Sequence, residues 1–443
     1  MESTAHEPRG DGPPGPEESV ELADRRARIR ELLGDRAALA LPASPADWPG
    51  REWEVRYQPD RELVYATGWR APAALALLDP SDGEAPYRLY VAERDADAER
   101  WHGRRPGPVE AAAYGADAVG TLGELEEALR AAAARVDRLY FRLGTHPQLD
   151  RIVIDALAAA RRTRRRSGAG LASIHDPGLV LDPLRRVKSP WEMARIRRAA
   201  SITVDAFRDA AARIEPGAGE WEVEAALEAG FRARGADGPA FGTIVASGAN
   251  AVVLHYTRND TRMAPGFVLL DAGAQVDLYA ADVSRTYAVG ARVGGAAGVL
   301  HEVVLRARQA ALDACVPGGD EEGVHEAARR VLVEGALELG LVRPGEDEAG
   351  EDAPAHRDLI PHRTSHWLGL SVHDPGDYGT ADGPVPFEPG MVLTVEPGLY
   401  VAPDRETASA ELRGVGVRIE DDVVITASGH EVLTDALARG QAP

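Results

Sequence analysis

Four acidic residues and a histidine in the second half of the chain stand on apolar runs in an order suited to holding cations. Asp271 ends Val268-Leu269-Leu270, and Asp282 follows eleven residues later in Ala281-Asp282-Val283-Ser284-Arg285-Thr286. That interval is long enough for a turn and a return strand, so two adjacent antiparallel strands can bring both carboxylates to one point. His362, His366 and His373 then fall within twelve positions of an otherwise apolar, glycine-containing stretch. Glu396 ends Val392-Leu393-Thr394-Val395, and Glu420 ends Val415-Gly416-Val417-Arg418-Ile419. Acids inside β-type apolar runs are costly when unpaired.

Taken singly, each has an ordinary reading. Asp271 or Glu396 can start a turn, His366 can be a core histidine with a satisfied ring, and Glu420 can pair with Arg418. The five together are better explained by cations that compensate buried charge. Four carboxylates carry four negative charges, two divalent ions carry four positive ones, and one neutral imidazole completes a balanced site. Oxygen-rich ligation with one nitrogen favours manganese, cobalt, iron or zinc in a catalytic setting over a structural zinc, which prefers sulfur and imidazole. Ions of this kind make a bound water acidic enough to act as a nucleophile near neutral pH, which points to hydrolysis.

Other patterns fail on their spacing. His301-Glu302, His325-Glu326 and His430-Glu431 each begin a helical zinc motif but lack the second histidine four residues on, and are expected at the surface. Gly414 and Gly416 lack a third glycine, and no phosphate loop or G-x-S-x-G elbow is present. Cys315 is the only cysteine, which excludes an intrachain disulfide and a cysteine zinc cluster and suits a reducing compartment. With 50 basic against 71 acidic residues, the net charge of -21 disfavours nucleic acid and anionic lipid as partners. No apolar run reaches the length of a membrane helix, so a cytoplasmic protein is expected.

These residues need strands to position them, and 443 residues suggest roughly two domains. Residues 1–20, polar and rich in Pro, Gly and Glu, read as a disordered tail. Residues 21–188 read as an α/β domain: a helix over Arg25–Leu33, strands over Ala37–Leu41, Ala74–Leu78, Arg88–Ala92 and Leu139–Leu143, and helices over Leu122–Ala134 and Gln148–Arg161. The five arginines of Arg161–Arg166 read as a solvated helix end. Asp182–Lys188 looks like a loop, after which Ser189, Pro190 and Glu192 supply the N-cap, first-turn proline and capping-box acid of a long helix. Residues 189–443 then run helices (Trp191–Arg213, Trp221–Ala233), strands, helices (Ala297–Cys315, Glu321–Leu339) and strands again, an order that hints at duplication without a sequence repeat. The acidic stretch Gly345–Pro354 reads as a surface loop.

The runs LHYT, DAGA, SHWLGLSVHD, TVEPGLY and GVRIEDD, in that order, resemble the Xaa-Pro peptidases, specifically the aminopeptidase P group of the pita-bread metallopeptidase family, which also holds prolidase and methionine aminopeptidase. The resemblance covers Arg51 to about residue 435. It implies an α/β N-terminal domain joined to an α+β pita-bread catalytic domain of creatinase/aminopeptidase type. It implies that Asp271, Asp282, His366, Glu396 and Glu420 ligate two divalent ions, most often Mn²⁺, with Asp282 and Glu420 bridging. Glu396 would take a proton from the attacking water, His255 and His373 would contact the scissile amide, and His362 and Arg418 would line a proline pocket.

It further implies a homo-oligomer, dimer or tetramer, in which the Trp101 region reaches a neighbouring subunit's active site. The expected activity is release of the N-terminal residue from peptides with proline second. The alternatives are cleavage of Xaa-Pro dipeptides as in prolidase, and a non-catalytic pita-bread binding protein, against which the intact ligand set argues. Arg363 stands where many relatives have glycine, Ser371 where aspartate is frequent, and Tyr65-Ala66 where Tyr-Leu is usual. These departures bear on the pocket's shape, not on the ligands.

Overall fold

A computed structural model describes residues 12–45, 57–343 and 354–437. The start of the tail, the residues around Arg51 and the acidic stretch up to residue 353 lie outside them. The chain divides into two compact units at Leu184–Arg185.

The first unit holds α1 (Pro16–Leu33), β1 (Ala37–Pro42), α2 (Arg61–Thr67), β2 (Ala74–Leu78), β3 (Tyr87–Val91), α3 (Ala96–His102), α4 (Pro108–Ala111), β4 (Ala118–Thr121), α5 (Leu125–Arg135), β5 (Arg138–Tyr140), α6 (Pro147–Ser167) and β6 (Ser173–His175). Its strands form one mixed sheet in the order β4-β3-β2-β1-β5-β6. β1 is central, antiparallel to β2 and parallel to β5, which accounts for its nearly continuous apolar sequence. The tail reading is corrected at its end: α1 begins at Pro16, where a proline in the first turn followed by Glu17 and Glu18 favours helix. The arginine run ends α6, which Gly168 closes in the left-handed conformation.

α7 (Gly178–Arg186) corrects a second expectation, because Asp182–Arg186 is helical despite Pro183. Pro183, the sixth residue of this helix, forgoes the one bond its N–H would have made to the Leu179 carbonyl, and the helix continues past it to Arg186. In the second unit α8 (Pro190–Ala211) starts as expected: the Ser189 hydroxyl accepts from the Glu192 N–H at 3.2 Å, and the Ser189 N–H donates to the Glu192 carboxylate at 3.0 Å.

Two rounds of helix pair and antiparallel sheet follow. α8 and α9 (Glu220–Ala233) precede β7 (Gly238–Pro239), β8 (Ile244–Ser247), β9 (Gly266–Ala272), β10 (Ala274–Val276), β11 (Tyr279–Ala280) and β12 (Val283–Val289). α10 (Gly295–Ala314), α11 (Glu321–Glu338) and α12 (Pro354–Leu359) precede β13 (Gly379–Thr380), β14 (Gly383–Pro384), β15 (Val392–Val395), β16 (Gly398–Tyr400), β17 (Gly416–Arg418), β18 (Asp421–Thr426) and β19 (Gly429–Val432). The sheets β12-β9-β8 and β15-β18-β19 each back onto their own helix pair through a separate apolar core.

His301 and His325 are not at the surface. Both lie on helix faces turned into the core, with ring partners: His301 Nε2 is 3.3 Å from the Thr286 carbonyl, and His325 Nδ1 is 2.9 Å from the Thr364 hydroxyl. His430 is half-buried, with Nδ1 3.1 Å from the Cys315 carbonyl. Among the described residues no helix is long and apolar enough to cross a membrane.

Candidate metal centre

The first carboxylate pair comes from β9 and β12. These strands are antiparallel with Asp271 opposite Ser284, so Asp282, just before β12, falls opposite Gly273. A Cβ on Gly273 would sit 1.7 Å from the Ala281 carbonyl oxygen, so only glycine permits this crossing. The return is made by β10 and β11 around Asp277 and Leu278, both at positive φ (51° and 73°) as a tight two-residue hairpin demands.

The second pair follows the same logic. Val395 pairs with Asp421 and Gly398 with Arg418, and the shared register sets Glu396 opposite Glu420. The two hairpins are tied edge to edge: the Glu420 N–H donates to the Ser284 carbonyl at 3.0 Å, and the Asp282 N–H donates to the Asp422 carboxylate at 3.1 Å. His366 runs antiparallel to β15, exchanging bonds with Thr394 through its carbonyl (2.9 Å) and its N–H (3.1 Å).

One ligand atom from each of Asp282, His366 and Glu420 lies within 4.8 Å of the others. His366 Nδ1 is 3.1 Å from the Trp367 carbonyl, a contact only an N–H can make, so in the neutral ring Nε2 carries a lone pair. That nitrogen faces Asp282 Oδ2 at 3.4 Å and Glu396 Oε1 at 3.6 Å. Lone pairs turned toward one another repel unless a cation lies among them. The buried Oδ1 atoms of both Asp271 and Asp282 have no hydrogen-bond partner. Burial, followed by mutual repulsion, drives the carboxyls of Asp282 and Glu420 well above the usual range, and burial lifts Glu396 to about 7. The donor set therefore fits divalent cations.

Arg418 and His362 border this cluster. Arg418 is buried, with Nη2 on Asp271 at 2.5 Å, Nη1 on the Tyr400 hydroxyl at 2.9 Å and Nε on the Ser284 hydroxyl at 2.8 Å. The Ser284 hydroxyl donates onward to Glu420 at 2.8 Å. His362 donates from Nδ1 to the Arg363 carbonyl at 2.7 Å and accepts from Tyr400 at Nε2, 2.9 Å away. Its pKa falls to about 4, through burial and then the Arg418 charge, so the ring is neutral. His373 is exposed, its ring perpendicular to that of His366 with centroids 4.6 Å apart. Burial and then the neighbouring His366 lower the His373 pKa; His255, also exposed, is close enough to add to this and to the lowering at His362.

Trp101 lies on α3 of the first unit and is 83% exposed. Arg363 projects to the start of α11, where Glu321 and Glu322 hold it at 2.7 Å each. Sequence reasoning missed Ser284 and Tyr400. Ser284 is two positions from Asp282 on a strand and so shares its face, a signal that was present; Tyr400 carried none beyond its place in TVEPGLY.

The model of metallopeptidase family M24 matches residues 194–427, and that of the aminopeptidase P N-terminal domain matches residues 22–140. The Xaa-Pro aminopeptidase of Escherichia coli strain K12 is 36% identical over 422 residues, 95% of each chain. The structure of Pseudomonas aeruginosa aminopeptidase PepP superposes with a TM-score of 0.88 at 37% identity, covering 97% of both chains. A zinc-substituted E. coli aminopeptidase P in complex with product gives 0.87 at 36% identity over 96% of each chain.

Proposed function

The chain belongs to metallopeptidase family M24, with an aminopeptidase P N-terminal domain ahead of the pita-bread domain, and on that premise we propose that it is a metal-dependent Xaa-Pro aminopeptidase. It releases the N-terminal residue from peptides with proline in second position. The observation that carries this reading is the cluster of Asp282, His366 and Glu420, with Glu396 3.6 Å from His366 and one buried oxygen each of Asp271 and Asp282 without a hydrogen-bond partner.

Asp271, Asp282, His366, Glu396 and Glu420 would hold two divalent ions, manganese in our reading. When bound, the ions supply positive charge that activates water and polarises the peptide carbonyl. Glu396 takes the proton from the attacking water; it is part-exposed and next to both His362 and His366. The bond before proline is a tertiary amide without N–H, so a proton must reach the departing nitrogen. His255 and His373, the exposed histidines of the group, contact the scissile amide and serve that need. The polar atoms of Arg418 and His362 are engaged within the protein, so these residues shape the proline pocket, and a neutral imidazole wall suits a pyrrolidine ring.

We take residues 21–188 as the N-terminal domain and 189–443 as the catalytic domain. We also propose, as the family resemblance implies, a homo-oligomer in which the region of the exposed Trp101 meets a neighbouring subunit. The single, buried Cys315 suits the cytoplasm.

The test is hydrolysis of Arg-Pro-Pro, Gly-Pro and Ala-Ala-Ala with added Mn²⁺ and with EDTA. Metal-dependent release of arginine, with the other two little cut, is expected. Cleavage of Gly-Pro alone would mean prolidase, and no metal-dependent cleavage would refute catalysis.

A further inference from the structure

Glu220 opens α9 and is fully buried, yet all five partners of its carboxylate are neutral donors. Oε1 accepts from the Ser247 N–H (2.7 Å), the Ser247 hydroxyl (2.7 Å) and the Asn250 amide (3.1 Å). Oε2 accepts from the Thr261 N–H (2.9 Å) and faces the Tyr256 hydroxyl (2.9 Å), whose single proton it shares with Asp260 Oδ1 at 3.0 Å. One oxygen thus holds the chain before His255 and the other holds it after. The Glu220 N–H adds a bond to the Thr261 carbonyl at 3.0 Å.

The loop so closed is anchored to the metal centre at both ends. Ser247 ends β8, which pairs with β9 so that Ile244 lies opposite Asp271. Tyr256, the residue after His255, packs its ring in a small core with Leu269 and Tyr400. His255 itself is exposed between these fixed points. A carboxyl group is expensive to bury, and here hydrogen bonds from loop atoms to both of its oxygens offset that cost. A purely apolar contact would hold α9 in place more cheaply; what the acid adds is closure of the loop from both sides.

We propose that Glu220 is a positioning residue for the reaction, a clip whose two oxygens close the 247–261 loop and hold His255 at the scissile amide. The proposal rests on the role of His255 given above. Glutamine cannot accept through its NH₂ group, so Glu220→Gln opens one side of the clip at nearly constant volume.

The experiment is a double-mutant cycle on metal-loaded enzyme with Glu220→Gln, His255→Ala and the double variant, reading kcat and KM for Arg-Pro-Pro together with metal content. Glu220→Gln is expected to lower kcat by about ten- to a hundred-fold, the range for a misplaced group, with KM and metal content little changed. In the His255→Ala background the same substitution should cost less than about two-fold, since the residue it positions is gone. Tyr256→Phe removes one donor and should show a smaller loss in the same pattern; it carries the cycle if Glu220→Gln does not fold. An unchanged kcat, or the same loss with and without His255, overturns the clip. Full turnover in His255→Ala overturns the role of His255 and the proposal with it.

Discussion

Arg418 donates Nη2 to Asp271 at 2.5 Å, while the other oxygen of that carboxylate, buried Oδ1, has no hydrogen-bond partner. Asp271 therefore gives one oxygen to a guanidinium and leaves the other without a hydrogen bond, while its charge, after burial, adds to what raises the Asp282 and Glu420 carboxyls. Through Nε, Ser284 and the Ser284 hydroxyl's bond to Glu420, the same guanidinium also orients a second carboxylate. Arg418 stays charged because its acidic neighbours and Tyr400 outweigh its burial.

Arg418→Lys should fail to replace arginine although the charge is kept. A lysine offers one flexible ammonium where Ser284, Tyr400 and Asp271 each take a different nitrogen of the planar fork. Metal affinity should fall by about 10–100-fold, as for other partners that orient ligands, and kcat by a similar factor. Metal titration by calorimetry beside steady-state kinetics checks this; wild-type values in both would show that charge alone suffices.

Glu396→Ala should abolish turnover, with a loss of at least about 10²–10⁴-fold from the missing proton acceptor and a further loss from the missing ligand. Turnover of Arg-Pro-Pro at saturating Mn²⁺ is the measurement, and a rate near that of the wild type would end the assignment of Glu396.

The five proposed ligands were legible because each interrupts an apolar run, and a buried acid must be compensated. The antiparallel return from Asp271 to Asp282 was legible from its length, and the start of α8 from its capping box. Illegible were features set by tertiary packing. His301 and His325 looked like surface residues because a helical motif was incomplete, but burial is decided by the helix face, where each takes a carbonyl or hydroxyl partner. Asp182–Arg186 reads as a loop from its sequence, but a helix that begins at Gly178 runs through it, Pro183 included. Glu220 gave no signal, since its partners are 27 to 41 residues away in sequence.

Metal should stabilise the protein, and more so as pH rises. Without cations, the raised pKa values of Asp282, Glu420 and Glu396 mean that the folded chain holds protons the unfolded chain has released. In the apoprotein the contribution of these three groups to stability is then fully present below the ordinary carboxylate range and declines as pH climbs toward and past about 7, where Glu396 titrates. Cations take over the protons' part, and their affinity grows as ligands deprotonate. Thermal scans with EDTA and with Mn²⁺ should show a Tm gap that is small near pH 5 and wide near about pH 8. A gap that narrows with rising pH would contradict this account.

Asp374→Ala should be the most destabilising of these substitutions. The Asp374 side chain is 1% exposed and lies between Arg185 Nη2 at 2.6 Å and Lys188 Nζ at 3.0 Å, both themselves buried. Burial pushes its pKa up, but the two cations outweigh it and hold the carboxyl below its usual value, so it is ionised. Removing it takes this counter-charge away from two buried cations, at a cost of about 3–5 kcal/mol. The same carboxylate accepts from the Ser371 N–H at 3.1 Å, and the Asp374 N–H donates to the Trp367 carbonyl at 2.9 Å, so it also shapes the loop that carries His373. Gly369 is part of that fit: a Cβ there would lie 2.5 Å from Asp374 Oδ2 and 2.8 Å from Lys188 Cε. Because the folded pKa is depressed, the contribution is present above the ordinary carboxylate pKa and lost as pH falls through the lower folded value. Urea denaturation of wild type and variant at neutral and acid pH checks both parts. The difference between them should be large at pH 7 and shrink in acid, and a variant as stable as the wild type at pH 7 would show that Arg185 and Lys188 do not need this counter-charge.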